Sequence, residues 1–302
     1  MENTVTTQPQ KAGTINIYSL VTNTIIQQLE NGVIPWQKPW KGGVAKAFKI
    51  PANLVTGDRY RGINILLLWS SAIKNNFDTD EWATFRQWQG KNESVRLNEK
   101  GSIIVKYDTI DKEIDGEQQK IPFIKKYYVF NRCQLVSYTP PKEDDCLDIY
   151  SMVEKIDKVD EFIANTGALI ETHGEGAVYN RVEDKILIPY PEKFQSTATC
   201  TATEGFYSTL MHELTHWTGA EHRINREKGK KFGDQNYANE ELVAEFGAAF
   251  LCAGFGLATV EKGDHAAYIS SWLQALKEDE RCIFKAASAA TKAVDFLYRL
   301  SI

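Results

Sequence analysis

The sequence lacks several features that would place it outside an ordinary globular class. No run of about 18 apolar residues occurs, which excludes a membrane-spanning helix, and no membrane partner is expected. The opening MENTVTTQPQKAGT is polar and has no apolar centre of the kind a secretion signal needs. Residues 1–14 are expected to be a disordered leader and the protein to be cytoplasmic. The five cysteines (Cys133, Cys146, Cys200, Cys252 and Cys282) are odd in number and contain no CxxC pair. That argues against a disulfide framework and against cysteine-held zinc, and favours a reducing compartment. No repeat or low-complexity tract is visible. Histidine is also scarce, at five residues in 302, so two histidines at a metal-binding spacing carry information.

A length of 302 residues suffices for two domains that each bury a core. Their boundary is expected at SYTPPKEDD, where a double proline followed by acidic residues stops secondary structure. This divides the chain into residues 15–140, a linker at 141–147 and residues 148–302. The net charge of −5 conceals an imbalance between the halves. Residues 1–140 hold 18 basic against 13 acidic side chains, and residues 141–302 hold 17 against 27. The first half is therefore suited to a polyanion and the second is not.

Periodicity predicts α+β structure in both halves, the second richer in helix. In the first, helices are expected over INIYSLVTNTIIQQLENG, GINILLLWSSAI and WATFRQWQG. Strands are expected over GSIIVKYDTI and KKYYVFNRCQLV, with DKEIDGEQQK as an exposed turn. In the second, a helix near 148–166 precedes strands in AVYNRVEDKILIP. Helices near 203–218 and 240–256 follow, with two more within 263–301.

The chemistry concentrates in YSTLMHELTHWTG. His212 and His216 are four apart and share one helical face, so they can hold one ion. Phe206, Leu210, Leu214 and Trp217 form the opposite, core-facing stripe. Glu213 lies about 100° round from His212, placed to reach a water on the ion. This HExxH pattern supplies two zinc ligands and a general base, the arrangement of amide hydrolysis. A third ligand is expected from YANEELVAEFGAAFLCAGFG, whose nearly unbroken apolar character makes a lone carboxylate costly. Glu241 is assigned as the ligand and Glu245 as the carboxylate that orients a histidine, although the spacing also allows the reverse. One Zn2+ per chain is expected, with Mn2+ or another divalent cation as substitutes. His222 and Tyr237 lie between the two helices without an assigned role.

Five of seven tryptophans fall in the first half, interleaved with basic residues. Aromatic faces and cations together hold single-stranded nucleic acid. The candidate contacts are Trp36, Lys38, Trp40, Arg59, Tyr60, Arg61, Arg86 and Trp88. For these tryptophans a core position fits the sequence equally well, while Trp69 within LLLW reads as core.

IIQQLENGVIPWQKPW, TGDRYRGINILLLW, WATFRQWQG and VFNRCQLV resemble the N-terminal domain of ArdC-type antirestriction proteins, also found on TraC-type plasmid primases. LMHELTHWTGAEHRINR and YANEELVAEFGAAFL resemble the zincin-like metallopeptidase domain that follows it in ArdC. The resemblance covers about residues 15–260. It implies single-stranded DNA binding by the first half and a SprT-like, gluzincin-type fold for the second. It also implies a place on a mobile element in bacteria, protecting incoming DNA from restriction. The family's metal pattern falls on His212, His216 and a glutamate of EELVAE, and its catalytic glutamate on Glu213. A host restriction protein or DNA-bound protein is the implied class of substrate. The opposing reading is a non-catalytic single-strand coat whose zinc domain is structural or docks proteins.

Overall fold

The computed structural model describes residues 16–37, 49–114, 117–140, 153–174, 176–196, 200–226, 235–259 and 265–301. The expected leader and linker, with Lys38 and Trp40, lie outside these residues. The architecture is two-domain α+β.

Helix α1 (Ile17–Glu30) opens where the Asn16 side chain accepts the Tyr18 N–H. It closes at Asn31, followed by Gly32 at φ +71°, a conformation glycine adopts without Cβ strain. Helix α2 (Ile63–Asn75) is buried from Ile63 through Ser70 on nearly every position, as its apolar run predicts. The expected helix over WATFRQWQG is partly strand. Glu81–Ala83 forms β2, and only Phe85–Gly90 is helical (α3). Thr84 sets that boundary by a reciprocal capping box with Gln87, which ends the strand and starts the helix.

With β1 (Ala52–Asn53), the first-half sheet runs β1-β2-β4-β3. Strands β3 (Ser102–Ile114) and β4 (Glu117–Asn131) form one long antiparallel hairpin, from Ser102↔Val129 to Ile114↔Glu117. DKEIDGEQQK is thus a continuation of the ladder. At the sheet's outer edge the Asn64 side chain bonds both the N–H and the C=O of Val105, each at 2.8 Å. This pins the hairpin to α2 and blunts an open strand edge.

In the second half, α4 spans Asp157–Asn165, starting later than expected; 153–156 are non-helical. Strands β5 (Leu169–His173), β6 (Val178–Asn180) and β7 (Lys185–Pro189) form a sheet ordered β5-β7-β6. Asp184 turns the β6–β7 hairpin at φ +51°. Helices α5 (Ala202–Thr218), α6 (Gln235–Phe255), α7 (His265–Glu278) and α8 (Cys282–Leu300) complete the chain. No described helix is long and apolar enough to cross a membrane.

The two halves share a hydrophobic core. Val21, Ile25 and Leu29 of α1 and Leu66 and Trp69 of α2 pack with Phe246 and Phe250 of α6, Trp272 of α7 and Ile283 of α8. Trp36 closes this seam, its ring edge-on to Phe246 at 4.8 Å and Trp272 at 5.3 Å. A second core, built from α4, β6, β7, α5 and parts of α6 and α8, belongs to the second half alone.

Helices α5 and α6 approach each other closely at Gly247. A Cβ there would stand 2.5–2.6 Å from the Thr215 side chain, which is fully buried and bonded to the Met211 carbonyl. Gly247→Ala is expected to push the helices apart at a cost of about 1–3 kcal/mol. Thermal unfolding checks it; an unchanged midpoint would contradict the close approach.

Candidate metal centre

Helix α5 begins with a reciprocal box between Thr201 and Glu204 and buries almost its whole length. It presents His212 and His216 towards α6, with ring centroids 4.8 Å apart. The Glu241 carboxylate from α6 lies between them, one oxygen 3.6 Å from His212 Nε2 and the other 3.4 Å from His216 Nε2. One donor atom from each of these three residues falls within 4.8 Å of the others.

Each histidine is held from behind by a second carboxylate. Glu245 lies 3.4 Å from His212 Nδ1. Glu240 lies 3.2 Å from His216 Nδ1. Such contacts place the ring proton on Nδ1 and leave Nε2 as the donor. Glu240 is itself held by Arg226 at 2.7 and 3.1 Å, and that guanidinium also donates to the Thr215 carbonyl and Thr218 hydroxyl. Neither Glu240 nor Arg226 stands out in the sequence as a site residue. The clue is the adjacency of two acids at the start of the apolar stretch of α6, since only one of them can turn towards the ion.

Glu213 is buried beside this cluster. Its Oε2 accepts the Tyr179 N–H of β6 at 2.8 Å, which fixes the carboxylate against the edge strand of the sheet.

The charge content tests the fit to a cation. Four carboxylates (Glu213, Glu240, Glu241 and Glu245) are buried here, and the Arg226 guanidinium is paired with one of them, Glu240. Burying so much negative charge is costly without a compensating cation. Two imidazoles and one carboxylate are also the donor set of catalytic zinc sites that keep a position open. The residues fit a divalent metal.

Without one, a proton takes part of its role. Burial pulls the His216 pKa down, but the facing Glu240 and Glu241 carboxylates overcome this and raise it to about 9. A metal ion must displace that proton, so its affinity should fall as pH drops below about 9, roughly tenfold per unit. The raised value stabilises the metal-free fold fully below the ordinary histidine range, and this is lost as pH rises through about 9. The gap in melting temperature between metal-loaded and chelator-treated protein should therefore widen from pH 6 to pH 9. A constant gap would contradict this linkage.

The first-half residues divide sharply. Trp36 is fully buried in the shared core, and Trp88 is buried with its indole N–H donating to the Phe130 carbonyl at 3.0 Å. Neither offers a ring face to a base, which corrects the expectation for both: packing against apolar neighbours claimed them. Tyr60 is half-buried, with burial raising its phenol pKa. Arg59 and Arg86 are exposed, and Arg61 is exposed and ion-paired with Asp295 of α8. Exposed aromatic and basic side chains also lie together on the β3–β4 hairpin. Register places Lys106 directly opposite Lys125, with Tyr127 two residues along on the same face. Lys125 Nζ lies 4.7 Å from the Phe123 ring centre. Like charges placed directly opposite are unfavourable without a counter-charge.

The profile for the N-terminal domain of anti-restriction factor ArdC matches residues 15–130, and that of a zincin-like metallopeptidase matches 157–289. A crystal structure of the antirestriction protein ArdC from plasmid R388, metal-free, superposes with a TM-score of 0.78 at 39% identity, covering 95% of this chain and 98% of that one. The chain belongs to the ArdC antirestriction family. Plasmid R388 ArdC has also been crystallised with Mn(II) bound; that structure matches with a TM-score of 0.75 at 38% identity, over the same shares of both chains. Protein y4eC of Sinorhizobium fredii is 34% identical over 292 residues, covering 94% of this chain and 92% of its own. A DNA primase TraC of Escherichia coli is 33% identical over 298 residues, covering 92% of this chain but 26% of the primase. The match to the primase thus spans both halves of this chain and about a quarter of that longer protein.

Proposed function

We propose that this ArdC-family chain binds single-stranded DNA through its first half and carries a metal-dependent, peptidase-type hydrolytic site in its second. The observation that carries the hydrolytic reading is the position of Glu213. A purely structural metal site needs no additional buried carboxylate, yet Glu213 is fixed beside the three donors by the Tyr179 N–H.

His212, His216 and Glu241 would hold the ion, while Glu245 and Glu240 fix the two imidazoles. A divalent metal bound there acidifies a water and polarises an amide carbonyl. The chain's own part follows from its geometry. Glu213 takes a proton from the attacking water and returns it to the leaving amine. Its bond to Tyr179 restricts the carboxylate to one orientation, so little rearrangement is needed before proton transfer. The expected substrate is a protein met on DNA.

For the first half, the reading rests on the outward face of the β3–β4 hairpin. Phe123, Lys125 and Tyr127 alternate along β4, with Lys106 across the ladder. Bases would stack on the rings while phosphates meet the lysines. Exposed Arg59, Arg61 and Arg86 extend the basic surface. The shared core favours a second reading, in which the metal domain only braces this DNA-binding face.

The Glu213→Gln variant separates the two. It keeps all three metal donors and removes the base. Lost protection of transferred DNA, with metal and DNA binding intact, supports hydrolysis. Unchanged protection rejects hydrolysis as the route and leaves the bracing role.

A further inference from the structure

One side of α8 runs against the charge of its half. Arg281, just before the helix, is followed on the same face by Lys285, Ser288 and Lys292, spaced four, seven and eleven residues on. The face borders a cavity of about 520 Å³ between the halves, within the range of ligand pockets, roughly 300–1,000 Å³. Tyr18 of α1 and Tyr107 of β3 form its other wall, and Arg226 reaches it from the loop after α5. Among the described residues, four cations line this cavity and no carboxylate does.

Two of the cations are balanced from behind the wall, Arg226 by Glu240 and Lys285 by Asp279 at 2.7 Å. Arg281 lies over the Tyr18 ring at 4.8 Å, and Lys292 has no ion-pair partner among the described residues. Tyr107 is 54% exposed. By register, Tyr107 is on the hairpin face opposite to Lys106, Lys125 and Tyr127. Strand β3 is the sheet's outer strand, so a ligand passing from that stripe to this cavity crosses its edge beyond Val105, where Asn64 of α2 holds it.

We propose that this cavity is a second contact site for single-stranded nucleic acid, contributed largely by the metallopeptidase half. Phosphates meet Arg281, Lys285 and Lys292, and a base enters against Tyr107. The proposal rests on the single-strand-binding reading of the first half. It adds that one strand is held by both halves, which brings the strand beside Arg226 and hence near the metal centre.

The test uses the full chain and a labelled oligothymidylate titrated at several salt concentrations. The triple variant Arg281→Ala/Lys285→Ala/Lys292→Ala should bind at least tenfold more weakly at low salt. Its plot of log affinity against log salt should be shallower by about 2, since three phosphate contacts are lost. A Lys106→Ala/Lys125→Ala variant serves as the comparison for the hairpin face. Triple-variant binding equal to wild type in strength and slope, with the hairpin variant weakened, overturns the second site and leaves the first-half reading standing. Wild-type protein that binds no oligonucleotide at low salt overturns both. Photo-crosslinking of wild-type protein to an oligonucleotide carrying 5-iodouracil gives a readout independent of any variant's folding. Adducts on Tyr107 or Tyr18 support the site, and adducts confined to Phe123 and Tyr127 refute it.

Discussion

Glu241→Ala abolishes stoichiometric divalent-metal binding and removes metal-dependent stabilisation. Among the described residues, Glu241 alone has oxygens facing both Nε2 atoms, at 3.6 and 3.4 Å, so the remaining histidines lose the third donor and its charge together. Two imidazoles on one helix turn bind a divalent ion far more weakly than a closed three-donor set. Ligand-linked stabilisation scales with the logarithm of affinity, so a thousandfold loss removes about 4 kcal/mol at saturating metal. The measurement pairs metal analysis after dialysis with melting curves in metal and in chelator. Wild-type melting should rise with metal, and that of the variant should not. Glu245→Ala, which leaves all three donors and removes one orienting carboxylate, should weaken binding by about 10–100-fold. If Glu245→Ala abolished binding and Glu241→Ala merely weakened it, the two roles would have to be exchanged.

Arg226→Met destabilises the fold by about 3–5 kcal/mol, because it leaves the buried Glu240 carboxylate without its guanidinium. Arg226 and His216 together hold the Glu240 pKa down at about 2 despite burial, so the carboxylate is charged throughout the working range. Arg226 also supplies the Thr215 carbonyl and the Thr218 hydroxyl at the end of α5, and both partners are buried. Neutralising the orphaned acid in the double variant Arg226→Met/Glu240→Gln should restore part of the loss, a coupling of roughly 1–3 kcal/mol between neighbours. Denaturant unfolding of the four proteins in chelator measures it. Additive effects would mean that Arg226 and Glu240 act independently, contrary to the geometry.

The metal-bearing helices were legible because their signals are local. His212, Glu213 and His216 lie within one turn, and an acid in an otherwise apolar helix stands out wherever it packs. Glu240 and Arg226 were not legible, since an acid near a helix start has an ordinary explanation and an arginine in a loop has many. Which of them turns inward depends on how α5 meets α6, and Gly247 controls that approach. Strand β5 escaped notice because LIETH is mostly exposed and lacks an alternating apolar face. The tryptophans misled for a related reason. A ring that binds bases and a ring that fills a core have the same side chain, and only burial tells Trp36 and Trp88 from the exposed Tyr127. The hairpin was legible as strands, but its like-charge Lys106–Lys125 pair becomes visible only once register is known.

The seam closed by Trp36 has a consequence for how this module is inherited and made. Helix α1 finds its partners on α7 and α8, more than 240 residues later in the chain. During synthesis only α2 is at hand to share that core, and the rest of the α1 face waits until nearly the whole polypeptide has left the ribosome, exposed to chaperones or to misassembly. A recombination event that copied only one half would leave such a face permanently bare. The stretch that aligns with the TraC primase covers 92% of the chain, spanning both halves. Selection against half-modules would preserve it as a single heritable piece.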